Sequence, residues 1–73
     1  MNRYFFNFRA GREVTRDRLG MYLPDLEAAR AEAIHASRDL SFLARQAGEG
    51  LCDYEIEVAD ASGEPVLKVP LAS

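Results

Sequence analysis

One histidine, His35, and one cysteine, Cys52, are the residues with most chemistry to offer in this 73-residue chain, and neither has a companion at a useful spacing. A general base needs a nucleophile beside it or a carboxylate to orient it, and no such triad pattern is present. On the wheel of the surrounding helical segment His35 lies about 180° from Leu26, so it is expected to face solvent. An acid–base site would require Asp17 or Asp25 to meet His35 across space, which the wheel disfavours. One histidine, one cysteine and scattered carboxylates lack the close ligand pairs of a zinc site. Cys52, just before a strand, reads as a small core or edge residue, and a lone cysteine rules out an intrachain disulfide. Gly48-Glu49-Gly50 follows a helix rather than opening one, so it is no phosphate loop. The expectation is therefore no catalytic residue, no metal site, no cofactor and no enzymatic activity.

Charge is the second source of chemistry. The net charge is −3, but it is unevenly spread. Residues 1–24 hold Arg3, Arg9, Arg12, Arg16 and Arg18 against Glu13 and Asp17; residues 48–73 hold six carboxylates against Lys68 alone. The five arginines stand among Tyr4, Phe5 and Phe8, a mixture of charge and stacking surface that suits single-stranded nucleic acid. Glu55 and Glu57 would share the same sheet face as Arg3 and Phe5, and carboxylates there repel phosphate. The simpler account sets the basic front hairpin beside the acidic rear one with cross-strand charges offsetting each other, so nucleic acid is a disfavoured partner.

These side chains need a scaffold. Arg3 to Phe8 is an aromatic strand, with Tyr4, Phe6 and Phe8 on the core face and Arg3, Phe5 and Asn7 on the other. Gly11 supplies a tight turn into a short return strand, Glu13 to Arg16, and Asp17-Arg18-Leu19-Gly20 turns the chain again. Met21-Tyr22-Leu23 is short and apolar, and Leu23 is extended because Pro24 follows it. Asp25 is the natural N-cap of a helix, with Glu27 at the positive end of its dipole and Gly48 and Gly50 as terminators. Leu26, Ala29, Ala33, Ala36, Leu40, Leu43, Ala44 and Ala47 form its inward stripe. About 22 residues of helix span about 33 Å, longer than a strand of about 20 Å. Tyr54, Ile56 and Val58 alternate with Glu55 and Glu57 in a half-buried strand. Asp60-Ala61-Ser62-Gly63 then turns the chain into Val66 to Leu71, with Leu67, Val69 and Leu71 inward. The expectation is a single α+β domain over residues 1–73: a ββαββ chain forming a four-stranded antiparallel sheet with one long helix on one face.

A second apolar feature departs from the stripe. Ile34 and Phe42 lie at about 80° and about 160° from Leu26, with Ala31 between them at about 140°. Either the helix bends or breaks between Ser37 and Ser41, so that Phe42 turns inward, or these residues meet another chain. A domain of this size buries little surface and has no disulfide, so self-association is an inexpensive source of stability. Phe5, Ala31, Ile34 and Phe42 are accordingly the candidate interface residues, and a two-fold dimer is the commonest arrangement.

The opening Met1-x-Arg3-Tyr4-Phe5-Phe6, the segment Leu23-Pro24-Asp25-Leu26-Glu27-Ala28-Ala29-Arg30-x-Glu32-Ala33 and the Asp60-x-x-Gly63 hairpin resemble a family of small uncharacterised bacterial proteins, a domain of unknown function. The resemblance covers nearly the whole chain and implies a compact ββαββ-like domain with no assigned active site. Asn7 departs from it, standing where a histidine is common. No run is long enough for a membrane span and no signal peptide opens the chain, so the expected address is the cytoplasm. The expected role is a non-catalytic protein-interaction or scaffold module that forms a homodimer or captures a protein partner. The alternative is a weak nucleic-acid accessory using Arg3, Arg9, Arg12, Arg16 and Arg18.

Overall fold

The computed structural model describes residues 1–48 and 54–71. Strand β1 (Asn2–Ala10) turns through Gly11 into β2 (Glu13–Thr15), and a short β3 (Met21–Leu23) precedes helix α1 (Leu26–Gln46). Strands β4 (Tyr54–Ala59) and β5 (Pro65–Pro70) complete an antiparallel sheet of order β2-β1-β4-β5. The α+β class and the helix on one sheet face are as expected. The strand count differs, because Met21–Leu23 pairs with β1 as a fifth strand, through Asn2↔Leu23, Arg3↔Tyr22 and Tyr4↔Met21. Since β4 holds one edge of β1, β2 and β3 share the other, β2 at Phe8–Ala10 and β3 at Asn2–Tyr4.

The core forms where large strand residues meet small helix residues. Tyr4, Ile56, Val58 and Leu71 are buried, with Phe6, Phe8, Leu67 and Val69 packed against them. Phe6 stands opposite Val58 and Phe8 opposite Ile56 across the β1–β4 ladder, so these side chains form one continuous apolar face. The Phe8 and Tyr54 rings meet edge to face, with centroids 5.7 Å apart. Onto this surface the helix sets Ala29, Ala33, Ser37, Ser41 and Ala44. Side chains this small let the helix backbone approach closely, so steric size decides which residues lie inward.

That rule corrects the predicted stripe. Ser37 and Ser41 are buried within it, while Leu26 and Leu43 are exposed. The Ser37 hydroxyl donates to the Ile34 carbonyl at 2.8 Å. Ser41, only 5% exposed, has a hydroxyl with no hydrogen-bond partner among the described residues.

The helix runs unbroken from Leu26 to Gln46, so it does not break near Ser37 to Ser41, and Phe42, which is exposed, does not turn inward. Asp25 caps it as expected, its Oδ1 accepting the Ala28 N–H at 2.9 Å. At the other end Gly48 takes φ +75°, and its N–H donates to the Arg45 carbonyl at 3.1 Å. Gly50 lies outside the described residues. The helix does not overhang the whole sheet, because the nine residues of β1 reach about 30 Å, a match for the length of the helix. It outruns every other strand, the three-residue β2 and β3 and the six-residue β4 and β5.

Candidate interaction surfaces

The second face of β1 was expected to be uncovered, yet Asn7 on that face is buried. The cause is the segment linking β2 to β3. Alternate N–H groups of β1 point to the edge that β2 and β3 share, and the gap between the two strands falls at Phe6. Asp17 fills it: its Oδ2 accepts the Phe6 N–H at 3.1 Å, as a strand carbonyl would. Its Oδ1 accepts from Leu19 and Gly20, each at 3.1 Å, and its own N–H donates to Asn7 Oδ1 at 2.9 Å. One carboxylate thus closes its own turn and pins that turn to a strand ten residues back in the chain. Partial burial alone would raise its pKa. The N–H donors of Gly20, Phe6 and Leu19, with the positive charge of Arg3, outweigh that and hold it below the ordinary value.

Arg3 belongs to the same assembly. Its guanidinium lies 4.9 Å from the centroid of Phe5 and 5.8 Å from that of Tyr22, and it donates twice to the Leu19 carbonyl, at 3.1 and 2.7 Å. Gly20 lets the loop approach this closely. At φ +71°, a Cβ there would fall 2.9 Å from the Tyr4 carbonyl oxygen and 3.1 Å from Phe5.

The five arginines therefore divide. Arg3 is committed to the loop, and Arg9 reaches Glu55, its ladder neighbour, at 4.0 Å. Glu57 is matched in turn by Lys68 at 3.9 Å. The open sheet face carries paired charges of both signs rather than a basic track. Arg12, Arg16 and Arg18 are exposed on the loops around β2.

The interface candidates are dispersed too. Phe5 is half-buried beneath Arg3, on the sheet side of the molecule. Ile34 is half-buried at the flank of the helix, whereas Ala31 is exposed. Phe42 is 62% exposed and Leu43 61% exposed. Leu43 also borders a groove of about 270 Å³ between the helix end and the sheet, with Phe8, Tyr54 and Leu71 on its sheet side. His35 is exposed on the outward side of the helix. Among the described residues no group of three or more His, Cys, Asp or Glu could hold a metal ion, and Cys52 lies outside those residues.

The family described as Domain of unknown function (DUF6894) matches residues 3–72. The chain belongs to this family. Its match takes in all five strands and the helix, so the Asp17 loop and the outward helix face both lie within the family's own unit. No curated protein and no solved structure matches the chain. Among the described residues no helix is long and apolar enough to cross a membrane.

Sequence reasoning set Asp17 in a turn, Asn7 on the second face of β1 and Leu43 in the inward stripe, and gave none of them the contacts seen here. The first had a visible signal, since Asp17-x-x-Gly20 repeats the spacing of Asp60-x-x-Gly63. Nothing local marks Asn7 or the Phe6 N–H as its partners.

Proposed function

We propose that this domain is a non-catalytic protein-interaction module of the cytoplasm that self-associates through the outward face of its helix. The reading rests on Phe42, a large aromatic 62% exposed on an unbroken helix whose inward face is already filled by alanines and serines. An aromatic ring left in water gains by burial, at about 25 cal/mol per Å² of apolar surface covered, and the sheet of the same chain faces the other way. The test is sedimentation of the wild-type protein beside Phe42→Glu over a wide concentration range. A wild-type dimer lost in the variant, with unchanged circular dichroism, supports the reading; a monomer throughout overturns it.

A second reading is supported by the exposure of Arg12, Arg16 and Arg18 around β2, the part of the basic set not engaged within the sheet. It makes the domain a weak nucleic-acid accessory whose affinity falls steeply with salt. Titration of a single-stranded RNA in low salt, wild type beside the triple alanine variant of these arginines, tests it. No detectable binding ends it.

A further inference from the structure

We infer that the second copy packs with its helix antiparallel to the first, about a two-fold axis passing between Ala36 and Ser37, so that Phe42 of each copy seats over Ala31 of the other. This rests on the self-association proposed above and adds its geometry. At about 100° per residue, Ala31, His35, Arg38 and Phe42 follow one outward ridge, all between about 120° and about 180° from the centre of the buried stripe. All four are exposed. The ridge has a small residue at one end and a large one at the other, and both stand equally far from its midpoint. Reversing one helix therefore sets Phe42 against Ala31 and Arg38 beside His35, a knob over a gap at both ends. A parallel pair would set Phe42 on Phe42 and leave a void at Ala31.

The charges at the two helix ends fit the same arrangement. Glu27 lies in the first turn of the helix and Arg45 in the last. Eighteen residues at 3.6 per turn amount to about five whole turns, so the two side chains share one flank of the ridge. In the antiparallel pair Arg45 of each copy meets Glu27 of the other, giving two ion pairs; a parallel two-fold pair sends this flank of the two copies to opposite sides of the seam and makes neither. Within one chain Glu27 is 81% exposed and 3.8 Å from Arg30, so it is open to a partner. Glu32 and Asp39 lie on the opposite flank, about 60° to 90° from the ridge, where water screens them. One helix face is small beside a standard interface of about 800 Å² per partner, so dissociation in the micromolar range is expected.

Two swaps test the geometry by sedimentation under reducing conditions, from about 1 µM to about 1 mM. Phe42→Ala is expected to weaken association by roughly tenfold or more, and the double variant Ala31→Phe with Phe42→Ala to restore it, because the knob has only changed ends. Glu27→Arg and Arg45→Glu are each expected to weaken the dimer several-fold, and their combination to recover wild-type affinity. All four positions are exposed, and circular dichroism verifies folding. If Phe42→Ala weakens the dimer but neither double variant recovers it, the antiparallel register is overturned while the outward-face reading stands. If the wild type is a monomer at every concentration, both fall.

Discussion

Asp17 and Asp60 each open an Asp-x-x-Gly turn, one in the front part of the chain and one in the rear, and each carboxylate gathers backbone N–H groups. Asp60 spends all of its bonds locally: its Oδ1 takes the N–H and hydroxyl of Ser62 and the N–H of Glu64, at 2.7 to 3.0 Å. Asp17 closes a turn of the same length but sends its second oxygen to Phe6, eleven residues away. The rear turn is a self-contained connector. The front one is a joint, because removing it frees a turn, a strand edge and the Asn7 side chain together. Identical spacing thus conceals a difference that only the partners reveal.

The two glycines should separate these roles most widely. Gly63 has φ +89° with nothing near its missing Cβ, so Gly63→Ala carries only the cost of a left-handed backbone, roughly 1 kcal/mol. Gly20→Ala adds a collision with the Tyr4 carbonyl oxygen, which the β1–β3 pairing holds in place, and about 3 kcal/mol is expected. Urea denaturation of both variants checks this. Equal losses would mean that the front loop yields as freely as the rear turn.

Next come the aspartates themselves. Asp17→Ala leaves the N–H groups of Phe6, Leu19 and Gly20 without their acceptor, and a loss of about 2 kcal/mol is expected. Amide exchange should show Phe6, on β1, opening in this variant. Asp60→Ala should lower stability less and leave exchange on the neighbouring strands unchanged. Faster exchange along β4 and β5 in that variant would break the comparison.

The distinction also explains what was legible in the sequence. Alternation marked Tyr54, Ile56 and Val58; Asp25 and Gly48 marked the helix ends; and Arg9 against Glu55 followed from a basic strand beside an acidic one. All of these signals lie within a few residues or one ladder. Strand β3 was missed because three residues, two of them exposed, carry no alternation, and its pairing depends on a loop tied down by Asp17. Of the three apolar residues expected off the stripe, Ala31 and Phe42 are exposed and Ile34 is half-buried, while the stripe itself is centred differently from the expected one. Hydropathy counted Leu26 and Leu43 as core and omitted Ser37 and Ser41, whereas close approach to Phe6, Phe8 and Ile56 admits residues by size.

The helix that both turns flank supplies a control in which polar satisfaction is absent. Ser41→Ala removes a buried hydroxyl that has no partner among the described residues, in a site an alanine fits, so a gain of about 1 kcal/mol is expected where Asp17→Ala loses stability. Thermal unfolding decides the sign. A loss would mean that the hydroxyl is engaged in solution.

The smallest effect concerns acid. Both aspartates titrate below their ordinary value of 3.8 in the folded chain, Asp60 chiefly through the Ser62 hydroxyl and the Glu64 N–H. A carboxylate with a depressed folded pKa contributes stability that is fully present above the unfolded value and is lost as pH falls through the folded one. Folding should therefore weaken from about pH 5 to about pH 2, and the two residues should share that loss unequally. Asp60 draws on neighbours within four residues, so its turn forms in part in the unfolded chain, which narrows the difference between its two states. The Phe6 N–H and the charge of Arg3 reach Asp17 only when β1 and the loop are assembled. Asp17→Asn should accordingly flatten the acid dependence of the urea midpoint, while Asp60→Asn leaves it close to wild type. If the two variants flatten it equally, the front turn is as local in its energetics as the rear one, and its long bond to Phe6 contributes little beyond geometry.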